Sequence, residues 1–253
     1  MGKILTIANQ KGGVGKTTTT VNLSACVAAL GKKVLVVDID PQGNTTGGLG
    51  VYAENMENTI YDVLVNGLAA KDAITETAFF SMHILGSDIS LAGAEIELVA
   101  AQNREFLLKN ALNSLRDAYD YIFIDCPPSL GLITLNGLAA ADAVIVPVQC
   151  EYYALEGIAQ LTKTVDMVKK ALNPALEIEG VVMTMFDGRT NLSLQVVEEV
   201  KKYFGKKVYR TLIPRNVRLS EAPSFGEPII VFDKTATGAV AYESLAKEFI
   251  KRN

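Results

Sequence analysis

Short runs of continuous apolar residues alternate along this chain with stretches whose apolar residues recur every three or four positions. The first run, Lys3 to Asn9, predicts a buried strand and leads into a glycine-rich turn. From Lys16 to Leu30 the pattern becomes helical, with Val21, Ala25, Ala28 and Ala29 on one face, and Gly31 stops it as a C-terminal cap would. Lys33 to Asp38, Tyr121 to Asp125 and Ala143 to Val148 repeat the buried-strand pattern. A long helix from about Ala154 to Leu172 then precedes a strand from Ile178 to Met185. Between Thr59 and Leu115 the chain reads as mainly helical, with a short strand near Met82 to Leu85. Tyr242, Leu245, Ala246, Phe249 and Ile250 share one face of a final helix, which suits docking on the core better than lying on a membrane. Strands alternating with helices of this length predict an α/β fold: a mostly parallel twisted sheet with helices on both faces. With no internal repeat, low-complexity tract or Pro/Ser linker, residues 1–253 are expected to form a single domain.

The turn after the first strand carries the strongest chemical signal. Gln10 to Thr18 reads QKGGVGKTT. Gly12, Gly13 and Gly15 remove side chains where backbone N–H groups must close around phosphate oxygens, and Val14 between them counts with them among the ATP-binding positions. A helix beginning at Lys16 would add its positive dipole end. Lys16 can reach the β- and γ-phosphates, and Thr17, followed by Thr18, places a hydroxyl where Mg²⁺ sits. The pattern departs from GxxxxGK[ST], since Gln10 stands where the first glycine belongs and Lys11 follows it. Two ammonium groups, Lys11 and Lys16, could then compensate up to two negative charges of one triphosphate.

Asp38 and Asp40 end the second strand, and Asp125 ends the strand YIFID. A carboxylate at the tip of a buried strand beside a phosphate loop is the arrangement that holds Mg²⁺ or its water shell.

Five ordered blocks, KGGVGKTT, DIDPQGN, DCPPSLG, PVQCEYYALEG and IPRNVRLSEAPS, together resemble the signature of ParA-type ATPases. These are the deviant-Walker-A class of P-loop ATPases, and the likeness extends over essentially the whole chain, toward the short chromosomal members called Soj. The resemblance implies a P-loop NTPase domain and a Mg²⁺-dependent ATP switch. In it ATP is sandwiched in a homodimer, and Lys11 crosses to the partner's nucleotide, as an arginine finger does in trans. It further implies that Lys16 holds phosphate in cis, Thr17 ligands the metal, and Asp40 orients the attacking water. Asp38 and Asp125 would then act on the metal through water, and Pro214 and Asn216 would line the adenine pocket. The implied partners are non-specific double-stranded DNA and a ParB-type centromere-binding protein that stimulates hydrolysis and so releases DNA. The implied role is chromosome or plasmid segregation, with control of replication initiation or sporulation, in a cytoplasmic, nucleoid-associated protein. Larger plasmid relatives carry an N-terminal helix-turn-helix domain, which is not expected here because the chain opens on the first strand.

Charge sharpens the expectation about DNA. The chain has 24 Lys+Arg and 28 Asp+Glu, a formal net charge of −4, which excludes a globally basic nucleic-acid binder. Residues 38–125 hold four basic and fourteen acidic residues, whereas residues 187–218 hold eight basic and three acidic ones, a local +5. Arg189 and Arg218 fit the family's DNA-contact arginines. Lys201, Lys202 and Arg215 are weaker candidates, and Lys206, Lys207 and Arg210 complete the cluster. Without aromatic interleaving, non-specific backbone contact is expected.

Composition removes other classes. Hydrophobic residues make up 49% and aromatics 7%, which fits buried parallel strands. Cys26, Cys126 and Cys150 are far apart with no CxxC pair, so they read as reduced buried thiols rather than a disulfide frame, a zinc ribbon or an iron–sulfur carrier. No apolar run is long enough to span a membrane, and Met1 to Thr6, although it fits the myristoylation pattern, reads as the start of the first strand. Two alternatives share the phosphate loop. A MinD-like division-site ATPase should end in a basic amphipathic tail, so no stable membrane anchor is expected here. A ligase related to dethiobiotin synthetase leaves the last two blocks unexplained.

Overall fold

The computed structural model describes residues 1–152 and 154–253, without the side chains of Ala53, Leu155 and Glu156. Tyr153, in the fourth signature block, lies outside the described residues. In chain order the elements are β1 (Lys3–Ile7), α1 (Lys16–Ala29), β2 (Val34–Asp38), α2 (Asn44–Gly48), α3 (Ile60–Leu64), β3 (Ile74–Glu76) and β4 (Met82–Leu85). They continue with α4 (Leu91–Glu97), α5 (Leu107–Asn113), β5 (Tyr121–Asp125), α6 (Leu132–Ala140), β6 (Ala143–Gln149), α7 (Ala154–Ala171) and β7 (Glu177–Phe186). The chain closes with α8 (Asn191–Phe204), β8 (Val208–Pro214), α9 (Val217–Glu221), α10 (Ile229–Phe232) and α11 (Thr237–Arg252).

The strands form one sheet in the order β3-β4-β2-β5-β1-β6-β7-β8. Neighbours are parallel throughout except β3 against β4. This is the α/β architecture expected from the alternation of strands and helices. Because successive strand side chains point to opposite faces, each strand feeds two cores. One joins Ile4, Leu35, Val37, Ile122 and Ile124 to Leu108, Ile133, Ile158 and Val196 from α5 to α8. The other joins Leu5, Ile7, Val36 and Phe123 to Leu23 and Val27 of α1 and to Tyr242, Leu245 and Phe249 of α11. Both faces are covered, so the central strands are apolar throughout, as parallel strands must be.

The terminal helix docks with the face read from the sequence, although it begins earlier, at Thr237. Two strands are additional to the expectation. β3 lies inside the segment expected to be mainly helical and is held only by antiparallel pairing with β4. β8, VYRTLIP, is an edge strand defined by its pairing with β7. Helices in residues 59–115 are short, the longest of them seven residues.

Candidate nucleotide site

Parallel strands end together, and register decides which side chains meet. Asp38 of β2 pairs with Asp125 of β5, which also pairs with Ile7 at the end of β1. The phosphate loop therefore leaves the sheet beside both carboxylates. β1 stands between β5 and β6, where the connections leave in opposite directions, the place at which open α/β sheets bind ligands.

Gly15 caps α1 at φ 88, a left-handed conformation that a side chain would strain. The helix opens at Lys16, so the first-turn N–H groups of Lys16, Thr17 and Thr18 face the loop. The loop is tied to the sheet by residues the sequence reading did not single out. Asn9 Nδ2 donates to Pro147 O at 2.8 Å while its Oδ1 accepts from Lys11 N, and Thr184 Oγ1 donates to Val14 O at 2.8 Å. Gln10 Nε2 reaches Thr164 Oγ1 on α7 at 2.7 Å. Lys16 is 8% exposed, and its ammonium donates to Lys11 O across the loop at 3.2 Å. Burial lowers its pKa, opposed chiefly by the charge of Asp125.

Asp125 is fully buried and accepts three hydroxyls: Thr17 at 2.8 Å, Thr20 at 2.9 Å and Thr45 at 2.7 Å. Burial raises its pKa against those hydrogen bonds. Asp38, also fully buried, is pushed up to about 7 by burial and by Asp125. It accepts the backbone N–H of Asp40 and both the N–H and hydroxyl of Thr46, bracing the start of α2. Asp40 is 9% exposed and caps the turn that follows, accepting Gln42 N at 3.0 Å. That turn closes at Gly43, whose φ of 62 and 2.8 Å clearance from Ser87 O to an added Cβ leave room only for glycine. Thr20, Thr45 and Thr46 are the functional neighbours the sequence reading missed. Their signal was the threonines that follow the first two signature blocks.

Pro214 and Asn216 line a cavity of about 210 Å³ together with Gly15, Thr18, Thr184, Met185 and Tyr242. Asn216 caps α9, accepting Leu219 N at 3.3 Å, and donates to Thr237 Oγ1 at 2.8 Å. Met185 adopts φ 51 at the edge of this cavity, a strained backbone held where β7 changes register with β8. The cavity thus adjoins the phosphate loop on the side away from the carboxylates.

With this geometry, likeness to known proteins becomes informative. The AAA domain profile matches residues 2–178. The chain is 60% identical to the sporulation initiation inhibitor protein Soj of Bacillus subtilis, over 98% of both chains. It is 53% identical to the chromosome partitioning protein ParA of Myxococcus xanthus, covering all of this chain and 89% of that one. It belongs to the ParA/Soj family of P-loop ATPases. A solved structure of the same fold is named cobyrinic acid a,c-diamide synthase, from Mycobacterium smegmatis, with bound ATP analogue and magnesium. It has a TM-score of 0.88 and 37% identity over 99% of this chain and 95% of that one.

In this ParA-type ATPase the basic segment 187–218 does not form one patch. Arg189 follows β7, and Arg215 and Arg218 follow β8, all at the strand ends that carry the nucleotide site. Lys201 and Lys202 lie in the last turn of α8, and Lys206 and Lys207 precede β8, at the opposite sheet edge. Lys207, paired with Glu177 at the start of β7, lies about 30 Å, the length of that ten-residue strand, from Arg189 beyond its end. Most of these cations are also paired. Arg189 makes two bonds to Asp187, and Arg218 reaches Glu221 and Asp233 and stacks 4.8 Å from the Phe232 ring. Lys202 meets Glu199, Lys207 meets Glu177, and Arg215 meets Glu151. Among the described residues, no helix is long and apolar enough to cross a membrane, and all three cysteines are buried and free.

Proposed function

We propose that this ParA/Soj-type ATPase is an ATP-driven switch for DNA partition. ATP occupies the loop 11–18 with its base against Pro214 and Asn216, two protomers close over the nucleotides, and the dimer holds DNA without sequence preference. The observation that carries this reading is the pair of lysines in one phosphate loop, Lys16 turned inward and Lys11 at its rim with 35% of its side chain exposed. A lysine at the rim is available to a second protomer's triphosphate. Hydrolysis, stimulated by a ParB-type partner, returns the protein to a monomer and releases DNA.

The residues suit Mg²⁺. Two buried carboxylates in register, one bonded to the Thr17 hydroxyl, form a hard-oxygen donor set. Among the described residues no three His, Cys, Asp or Glu side chains form a metal cage of their own. Thr17 would hold the ion directly, with Asp38 and Asp125 acting through water, and the ion would screen charge on the β- and γ-phosphates. Asp40, in the turn beside them, orients the water that attacks.

The charge distribution supports DNA contact through Arg189 and Arg218, with Arg215 on the same edge, in a nucleoid-associated protein formed by residues 1–253 as one domain. Lys201 and Lys202, at the opposite edge, are secondary contacts in this reading. A biosynthetic role has less support, because identity to the Soj relative is 60% against 37% for the protein named as a diamide synthase. The test is DNA binding by the purified protein with ATP, ADP and a non-hydrolysable analogue. Binding with ATP and the analogue but not ADP is expected, and equal binding in all three states would refute the switch.

A further inference from the structure

Lys11, the lysine assigned above to the partner's nucleotide, is engaged within its own protomer. Its ammonium lies 3.5 Å from Glu151 Oε2, while Arg215 approaches Oε1 of the same carboxylate at 3.8 Å, and Gln149 Nε2 also donates to Oε1. Glu151 stands two residues beyond β6, and its backbone N–H and carbonyl bond to Gln149 O and Ala154 N, at 2.8 and 2.9 Å, so the carboxylate has a fixed base. It bridges the loop after β1 and the residue that follows β8, and Arg215 also lines the cavity assigned to the base.

We propose that Glu151 is a positioning residue that holds Lys11 on its own protomer until nucleotide and a second protomer compete for it. The physical case rests on strength. Glu151, Lys11 and Arg215 have side-chain exposures of 45, 35 and 62%, so solvent screens both pairs and each is weak. A triphosphate carries several negative charges, so it outcompetes one screened carboxylate for Lys11. The contact therefore restrains the lysine without disabling it. Nucleotide entering the base cavity meets Arg215, the other cation on Glu151, so occupancy of the cavity and release of Lys11 act on one carboxylate. The inference rests on the ATP-dependent dimer proposed above.

The experiment compares wild type with Glu151→Gln, using sedimentation of the full chain with a non-hydrolysable ATP analogue and Mg²⁺. The variant is expected to dimerise at a protein concentration about two- to fivefold lower, the range a screened ion pair can supply, with unchanged thermal unfolding. In the nucleotide-free protein, acylation of Lys11 by acetic anhydride, mapped by peptide mass spectrometry, is expected to be faster in the variant. That second readout does not require dimerisation, and Glu151→Asp serves it if Glu151→Gln fails to fold. Coincident dimerisation midpoints, or a weaker variant dimer, in a wild type that does dimerise would overturn the role of Glu151 alone. A wild type that stays monomeric with the analogue would overturn the dimer reading, and this inference with it.

Discussion

Asp38 and Asp187 each follow an apolar strand, yet the first is pushed up to about 7 and the second held down to about 2. Asp38 has lost water on every side and faces a second buried carboxylate, Asp125, so its charged form is disfavoured despite three hydrogen bonds. Asp187 is half-buried and accepts two bonds from one guanidinium, that of Arg189. The difference is one of environment. The buried pair sets two carboxylates side by side out of water, so charge on Asp125 pushes Asp38 further toward its protonated form. The second pair neutralises the Arg189 guanidinium at the surface. In the first region burial disfavours the carboxylate charge; in the second an ion pair favours it.

Substitutions in the two regions should accordingly differ in size and in what they disturb. The largest effect is expected for Lys16→Ala, which removes the buried ammonium and should weaken ATP binding about a hundredfold or more by calorimetry. Asp40→Ala should leave ATP affinity near wild type while slowing hydrolysis by about a hundredfold, measured as phosphate release under single-turnover conditions. Wild-type turnover in that variant would remove Asp40 from the mechanism.

Buried thiols extend the same contrast into a pH dependence. Burial pushes Cys26 and Cys150 up to about 12 and holds Cys126 well above the ordinary thiol range. The folded protein keeps these protons where the unfolded chain, with thiols near about 8.5, releases them. Stability should hold below about pH 8.5 and decline as pH rises above it. At pH 8, alkylation by iodoacetamide should be about a hundredfold slower than in the unfolded chain.

On the exposed side, Arg189→Ala and Arg218→Ala should each weaken ATP-dependent DNA binding several-fold and reduce the salt slope by about one, with ATP binding intact. Unchanged affinity at low salt in both would detach DNA from this edge. The smallest and sharpest test is Asp187→Asn, which unmasks Arg189 and should tighten DNA binding about twofold. Weaker binding would mean that Asp187 orients the arginine rather than competing for it.

Much of the fold was legible because buried parallel strands and long amphipathic helices leave periodic marks. α1, β5 and the docked face of α11 follow from spacing alone. β3 and β8 were not legible, since a three-residue edge strand and an edge strand without clean alternation owe their existence to the neighbour they pair with. At the site, the glycines, Lys16, Thr17 and the strand-end aspartates were visible because phosphate chemistry demands those residue types at those intervals. Thr45 and Thr184 were not, since their partners, Asp125 and Val14, are 80 and 170 residues away.

Charge shows most plainly where local reading stops. The sequence by itself determined a phosphate loop, its metal-side carboxylates and a segment of residues 187–218 carrying +5. Only the tertiary structure decided that this segment divides between two edges of the sheet. It alone brings Glu151, Glu177 and Asp233, from outside that segment, against its cations. A motif constrains residues a few positions apart through the local backbone, whereas electrostatic partners are chosen by distance in space, which chain order does not record.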